Sequence, residues 1–142
     1  MENKKNIIEE MNKRGPKLIG MLGGKVIDID EEKVSCTFEF NIGNDFCHSI
    51  DIVQGGFVTA MLDAAMTHAA FVHNKEITGV SSLEIKTSYL EVTRAGKLRV
   101  EGFVIKQSYK TAFFEGRMYN EDNLLTATAS SVAKLIRAPK EP

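Results

Sequence analysis

The hydrophobic pattern of the first third of the chain predicts one helix followed by two strands. Residues 3–13 carry apolar side chains at helical spacing, and the Gly15-Pro16 pair ends that helix. Residues 24–29 and 33–40 have the composition of short strands, and the second also alternates in character. Residues 41–54 show no clear period, and we interpret them as a loop that leads into the next helix.

The segment from about Gly55 to His73 predicts a helix that is apolar almost all the way round. A helix without a polar face belongs in a core, covered by other structure. Asp63 lies in the middle of this helix, although carboxylates are almost never fully buried without a partner. We therefore interpret Asp63 as a functional group. The alternative is a carboxylate held by neighbouring hydroxyl groups at a structural dimer contact.

The residues around Asp63 favour the functional interpretation. Thr59 and Thr67, four residues before and after it, share one stripe of the helix with Asp63. The helix follows Gln54-Gly55-Gly56, and the two glycines let backbone amides approach a ligand closely. This combination predicts an active site.

Beyond Gly79 the pattern predicts strands only. Four segments rich in β-branched and aromatic residues are separated by turn-forming residues and cover 81–92, 97–107, 111–120 and 124–136. Consecutive strands with short turns predict an antiparallel meander. An apolar helix beside an antiparallel sheet of five or six strands predicts an α+β fold in which the sheet wraps around a long central helix. Uncovered strand edges and leftover apolar surface then predict at least a homodimer.

Composition narrows the class of protein. The 142 residues predict one domain, with an N-terminal helix at 1–16, a core at 17–136 and a tail at 137–142. The net charge of −1 lacks the basic excess of a nucleic-acid binder. Cys36 and Cys47 are too few for a disulfide framework, and neither a signal peptide nor a membrane span is evident. We therefore expect a cytoplasmic protein.

Residues 53–67, written VQGGFVTAMLDAAMT, resemble the signature of hotdog-fold acyl-CoA thioesterases, specifically the phenylacetate-pathway (PaaI-type) group. That signature is a Gly-Gly pair at a helix start with an Asp seven residues after the second Gly. Segments 83–90, 102–107 and 124–129 also resemble strands of this family, so the resemblance covers roughly residues 20–136. It implies a hotdog fold, with the N-terminal helix as the only element outside it.

The resemblance implies hydrolysis of an acyl-CoA, and the residues supply the chemistry. Backbone amides at the helix start, that of Gly56 first and that of Gly55 next, would polarise the thioester carbonyl. Asp63 would reach that carbonyl from the other subunit of a dimer, either as general base on water or as a nucleophile that forms an anhydride. Thr67 would hold a water or orient the carboxylate. We expect no metal and no cofactor, since coenzyme A enters only as part of the substrate.

One position departs from the pattern of the family. Many members have His immediately before the Gly-Gly pair, where this chain has Gln54, which can hydrogen-bond a thioester but cannot exchange a proton near neutral pH. Six residues upstream, where the family often has Asn, this chain has His48, which would position water or substrate; the alternative is a solvated loop histidine. His68 and His73 lie about 140° apart around the helix, so they predict no shared metal site, and His68 is interpreted as a core or interface histidine.

The resemblance also points to two segments that would bind coenzyme A. They are the strand start Ser81, Ser82 and Leu83, and the turn Lys106, Gln107, Ser108, Tyr109, Lys110 and Thr111. The lysines and hydroxyl groups of the turn suit phosphate contacts, with solvated surface charges as the alternative. The Ser82 hydroxyl is expected to face the Asp63 carboxylate.

Three functions are compatible with these residues. The first is a thioesterase for a small or medium acyl-CoA, formed by a homodimer or a dimer of dimers that binds neither nucleic acid nor membrane. The second is a non-catalytic hotdog module that binds acyl-CoA as a sensor or carrier, which Gln54 favours. The third is a hotdog dehydratase or hydratase, whose loop signature is missing from this sequence.

Overall fold

The structure, a computed structural model, describes residues 3–72 and 74–139. The helices are α1 (Lys4–Arg14), α2 (Lys17–Met21) and α3 (Gly55–Ala69), and a 3₁₀ turn covers Asn44–Phe46. The strands are β1 (Gly24–Asp30), β2 (Ser35–Ile42), β3 (Cys47–Ser49), β4 (Ile52–Val53), β5 (Ile77–Tyr89), β6 (Gly96–Gln107), β7 (Thr111–Tyr119) and β8 (Leu125–Arg137). The N-terminal helix, the central helix and the main strands are therefore confirmed, whereas α2 was not predicted.

Six strands form one antiparallel sheet in the order β1-β2-β6-β7-β8-β5. The predicted meander is correct for β6 to β8 and wrong for β5, which pairs with β8 at the far edge. The connection at 90–95 does not fold back as a hairpin, because its backbone bonds to other segments. The Leu90 and Glu91 N–H groups donate to the Thr126 carbonyl, and the Ala95 N–H donates to the Asp51 carbonyl. Six extended residues can span the three strand spacings, about 14 Å, between β5 and β6.

Helix α3 packs across one face of this sheet, and most of its apolar side chains are buried. The closest approach is at Gly102 of β6, where an added Cβ would lie 2.1 Å from the Ala65 carbonyl oxygen. Gly116 of β7 lies opposite Gly102 and faces the side chains of Leu62 and Met66. These two glycines let the helix lie close against the sheet. The prediction that the sheet covers the apolar helix is confirmed.

The central helix ends at Ala69, earlier than the sequence pattern predicts. The N–H groups of Ala70, Phe71 and Val72 each bond to the carbonyl three residues back, at 3.2, 3.0 and 3.3 Å. Such bonds are typical of the tightened last turn of a helix. His73, with which the helix was expected to end, lies outside the described residues. The expected angle between His68 and His73 around the helix is therefore not tested.

The two edge strands of the large sheet differ in what covers their outer side. At the β1 edge, the Asn12 side chain of α1 donates to the Val26 carbonyl at 3.0 Å and accepts from the Val26 N–H at 2.8 Å. Lys4 of α1 also pairs with Asp28 of β1 at 2.6 Å. Helix α1 therefore covers part of this edge in place of another strand. At the opposite edge, β5 pairs with β8 on one side and with none of the described strands on the other.

The fold does not test the expected cytoplasmic location. Among residues 3–72 and 74–139, no helix has the length and apolar character needed to cross a bilayer. Cys36 and Cys47 are both free thiols. The cytoplasmic location stays a prediction.

Candidate active site

The first turn of α3 presents two hydrogen-bond donors that are not used within the chain. Gln54 precedes the helix in an extended conformation, and its Oε1 accepts from the Gly56 N–H at 2.9 Å. Among the described residues, no group accepts from the Gly55 N–H or from Gln54 Nε2. The expected order of the two backbone donors is therefore reversed: the Gly56 N–H is occupied by Gln54, and the Gly55 N–H is free.

Asp63 is half-buried near the middle of α3, and one side chain of β5 binds its carboxylate. The Ser82 hydroxyl donates to Asp63 Oδ1 at 2.9 Å, which is the contact that the resemblance implied. Burial raises the pKa of the Asp63 carboxyl above its usual value, while the Ser82 hydrogen bond and the nearby His68 act in the opposite direction. A carboxylate with a raised pKa is a stronger base, and such groups cluster at functional sites.

The two threonines on the Asp63 stripe do not contact the carboxylate. Thr67 Oγ1 donates to the Asp63 carbonyl at 2.9 Å, so its proton is used on the backbone and the expected orientation of the carboxylate by Thr67 is not observed. Thr59 Oγ1 lies 2.8 Å from Thr87 Oγ1 and 3.0 Å from the Tyr89 hydroxyl. The interpretation of Asp63 as a carboxylate held by threonine hydroxyls is therefore wrong.

Tyr89 connects the end of β5 to the helix start. Its hydroxyl donates to the Gly55 carbonyl at 2.8 Å. This contact was not anticipated, because it depends on the pairing of β5 with the helix and has no local sequence signal. Tyr89 and Ser82 together fix α3 against β5, one at its first turn and one at its middle.

Gly55 and Asp63 lie too far apart to act on one carbonyl within a single chain. They are eight residues apart, about 12 Å along the helix axis at about 1.5 Å per residue. A reacting carbonyl must lie about 3 Å from both its hydrogen-bond donor and the attacking group. A site that uses both residues therefore needs two chains.

The segment before α3 is more ordered than the predicted loop, because it contains the 3₁₀ turn, β3 and β4. The Gln54 N–H donates to the Phe46 carbonyl at 2.9 Å, which ties the helix start to this segment. His48 of β3 is exposed, and its Nδ1 lies 2.8 Å from Ser49 Oγ. No hydrogen bond among the described residues joins His48 to Gln54 or Asp63, so a role in positioning water stays a prediction.

His68 packs against β2 and against the residues that follow α3. Its Nδ1 lies 2.8 Å from the Ala64 carbonyl oxygen, and its ring packs edge-on against Phe38 and Phe71. Burial lowers the pKa of this imidazole, which favours the neutral ring. These contacts favour the interpretation of His68 as a core histidine.

The two segments expected to bind coenzyme A lie on neighbouring parts of the sheet. In the first, Ser81 and Leu83 are exposed, and the strand register shifts between Ser82 and Glu84. In the second, the Ser108 N–H donates to the Thr111 carbonyl at 2.8 Å and closes the turn between β6 and β7.

Within that turn the side chains differ in what they offer a ligand. Lys106, Lys110 and Tyr109 are exposed. Ser108 Oγ is engaged with Thr111, at 3.3 Å from its N–H and 3.2 Å from its carbonyl. Gln107 is only partly exposed, and its buried Oε1 accepts no hydrogen bond from the described residues. The lysines therefore remain available for phosphates, whereas the Ser108 hydroxyl is already used.

The amino-acid sequence matches the model of one known protein family. A family model described as the thioesterase superfamily matches residues 51–127. The chain belongs to the thioesterase superfamily. The matched region includes the start of α3, Asp63, Ser82 and the turn between β6 and β7, so every candidate site residue that the sequence suggested, except His48, lies within it. At the level of reaction class, this membership supports thioester hydrolysis.

Several solved structures share the fold of this chain. A phenylacetic acid degradation-related protein from Ralstonia eutropha aligns with a TM-score of 0.80 at 25% identity, covering 89% of this chain and 98% of its own. A thioesterase from Haemophilus influenzae gives 0.80 at 15% identity, covering 96% and 92%. The PaaI protein of the E. coli phenylacetic acid degradation operon gives 0.78 at 15% identity, covering 92% and 91%. None of the curated proteins matches this sequence significantly. The hotdog fold implied by the resemblance is confirmed.

Proposed function

We propose that this chain hydrolyses an acyl-CoA thioester to the free acid and coenzyme A. The observation that carries the proposal is the half-buried Asp63 carboxylate held at 2.9 Å by Ser82, in a chain of the thioesterase superfamily. Such a carboxylate costs stability, because burial disfavours its charged form. A role in catalysis explains why a core helix carries it.

The reaction uses the free donors of one chain and the carboxylate of another. The thioester oxygen accepts hydrogen bonds from the Gly55 N–H and Gln54 Nε2, and these bonds strengthen as negative charge develops on that oxygen. In one form of the reaction, Asp63 of the facing chain removes a proton from a water that attacks the carbonyl carbon, and the tetrahedral intermediate expels the CoA thiolate, which takes up a proton. In the other form, Asp63 attacks that carbon itself, the intermediate expels the CoA thiolate to leave an anhydride, and water then hydrolyses the anhydride to regenerate the carboxylate.

A second candidate function is a non-catalytic module that binds acyl-CoA. It is favoured by Gln54, whose side chain caps its own helix and has no group that titrates near neutral pH. Gln54 retains a free amide donor, so the thioester can still be polarised. For that reason hydrolysis is the first candidate.

The test is a substrate panel on the full chain. Release of free thiol from aliphatic and aromatic acyl-CoAs is measured beside hydration of an enoyl-CoA and calorimetric binding of the same esters. Turnover of acyl-CoA supports the proposal. Hydration alone would identify a hydratase, and binding without any turnover would identify the second candidate.

We propose that the two chains of the site meet at β5. Of the two edge strands, β1 is covered in part by α1, while β5 has no described partner on its outer side. β5 also carries Ser82 and Tyr89, which contact Asp63 and Gly55, so an interface there brings a second chain next to the site. Sedimentation equilibrium should give an even multiple of the 15.7 kDa chain mass, whereas a monomer would contradict the proposal.

A dimer of dimers would use the face of the sheet that lies opposite α3, which we call the outer face. Phe113 is 50% exposed and Ile105 57% exposed on adjacent strands there, with the charged Glu84, Lys86 and Glu115 beside them. Apolar side chains ringed by charges of both signs suit contact with a second copy of the same face. Phe113→Glu is expected to leave dimers. A tetramer that survives this substitution would show that the outer face is not the contact.

A further inference from the structure

The turn between β6 and β7 rests on Arg137, the last residue of β8. Arg137 Nε donates to the Tyr109 carbonyl at 2.8 Å, and its guanidinium carbon lies 4.3 Å from the centre of the Tyr109 ring. Arg137 Nη1 donates to Glu76 Oε2 at 2.8 Å. Only 15% of the Arg137 side chain is exposed, which is unusual for arginine. The Arg137 side chain therefore joins the turn at Tyr109 to the residue before β5, Glu76.

The Tyr109 ring has one covered face and one open face. The guanidinium of Arg137 covers the first, yet Tyr109 is 60% exposed, so the second face is open to a ligand. An aromatic ring with two rotatable side-chain bonds, held from behind by a cation, is well suited to stack a nucleobase. Lys106 and Lys110, which precede and follow Tyr109 in the sequence, are exposed and can contact phosphates.

We propose that Tyr109, positioned by Arg137, is the platform on which the adenine base of coenzyme A stacks. The inference rests on the proposed hydrolysis of acyl-CoA, since that function supplies the nucleotide. In this arrangement Tyr109 touches the substrate and Arg137 acts through Tyr109.

The strand register sets the distance from this platform to the reacting carbon. Ser82, which binds Asp63, lies opposite Ala133, and Ala133 lies opposite Ala112. Across the strands, the two spacings of about 4.8 Å separate Ser82 from Ala112; along the strand, three residues at about 3.3 Å each separate Ala112 from Tyr109. These two displacements are perpendicular, so they combine to a distance of about 14 Å. The pantetheine arm between the CoA sulfur and its phosphates has about as many bonds as four extended residues, which reach about 14 Å. The pantetheine arm can therefore carry the phosphates from the neighbourhood of Asp63 to this turn, and the ribose beyond them carries the adenine to the Tyr109 ring.

Gln107 provides an acceptor along the same row of residues. It lies opposite Ala112, and thus in the same cross-strand row as Ser82. Its Oε1 is buried, and no donor among the described residues reaches it. An unpaired buried acceptor is costly, and an amide N–H of the pantetheine arm would satisfy it.

The kinetic test compares a complete substrate with a truncated one. Tyr109→Leu is expected to raise KM about tenfold for acyl-CoA, as the loss of one base–aromatic stack would. KM for the corresponding acyl-pantetheine, which lacks the nucleotide, and kcat for both substrates should be unchanged. The matched control is Tyr119→Leu, because Tyr119 forms a similar pair with Arg99, at 4.4 Å, at the other end of β7. Tyr119→Leu should change neither KM.

Arg137→Lys tests the positioning role. Lysine keeps the charge but cannot stack on the ring while bonding the Tyr109 carbonyl. We expect a higher KM for acyl-CoA alone, with kcat unchanged. Equal changes for both substrates would mean that Arg137 acts only on the fold, and would overturn its assignment.

Binding of free coenzyme A gives a readout that needs no turnover. The chain has three tyrosines and no tryptophan, so stacking on Tyr109 should quench its tyrosine fluorescence, and Tyr109→Leu should remove that quenching. Hydrolysis with an unchanged ratio of the two KM values in Tyr109→Leu would overturn the platform and leave the proposed function standing. Quenching that depends on Tyr109, without hydrolysis of any acyl-CoA, would support the platform and overturn the proposed function.

Discussion

Removing the Gly55 N–H is the sharpest perturbation that the helix start allows. Gly55 is the first residue of α3, the position at which proline fits a helix. The preceding residue, Gln54, has φ −62° and ψ 136°, the extended conformation that a residue before proline adopts. Gly55→Pro therefore deletes the donor and keeps the helix.

The expected loss follows from the role of that donor. Deleting one group that stabilises the oxyanion typically lowers kcat about 10²–10³-fold. Because Gln54 Nε2 remains, we expect a fall near the lower end of that range, with KM nearly unchanged, since the bond strengthens only in the transition state.

The assay is free-thiol release under saturating acyl-CoA. Gly55→Ala is the matched control, because it keeps the N–H. Its Cβ meets the Tyr89 hydroxyl at 3.1 Å, as the proline Cβ does. If Gly55→Pro were as active as Gly55→Ala, the Gly55 N–H would have no part in the reaction.

The same variant tests the shared site. Gly55→Pro and Asp63→Asn chains, each nearly inactive alone, are refolded together in equal amounts. Random pairing makes about half of the dimers mixed, and each mixed dimer has one intact site. About a quarter of wild-type activity should therefore return, and no recovery would show that the two residues do not act across two chains.

Three further outcomes follow from the same contacts. Ser82→Ala removes a hydrogen bond that favours the charged form of Asp63, so the pKa of Asp63 should rise. The acidic limb of the pH profile of kcat/KM should then move to higher pH. If that limb does not move, Ser82 does not influence the titration of Asp63. Burial raises the pKa of Asp63, so its charge lowers stability as pH rises through that pKa. Asp63→Asn should therefore melt at a higher temperature than wild type at pH 7, and the two should converge below about pH 3.9; equal melting temperatures at pH 7 would contradict this sign. Gly102→Ala should lower the free energy of unfolding by about 1–3 kcal/mol or more, because its Cβ would overlap the Ala65 carbonyl. Gly20→Ala, with open space around it, is the control and should show no loss.

Local patterns were sufficient to predict the elements and the central carboxylate. The apolar run around Asp63 predicted a buried helix, and α3 is that helix. The break at Gly15-Pro16 predicted the end of α1, and the turn at 120–123 separates β7 from β8 as expected. These features depend on side chains close together in sequence.

The remaining features depend on contacts between distant residues. The position of β5 next to β8 is set by pairing across about 50 residues, as at Ser82 and Ala133, and no local period records it. The same holds for Arg137 beneath Tyr109, which joins the end of the last strand to a turn 28 residues earlier. The occupation of the Gly56 N–H by Gln54 is local, but it depends on a side-chain conformation that the residue types alone do not specify.

The most direct test of the account is free-thiol release by wild type and Asp63→Asn over a panel of aliphatic and aromatic acyl-CoAs. Asparagine keeps the shape of the side chain and can still bond Ser82, but it cannot act as a base or as a carboxylate nucleophile. We expect turnover to fall at least about a hundredfold, since loss of a catalytic base costs about 10²–10⁴. Equal turnover in the two proteins would contradict the central claim and would direct attention to His48.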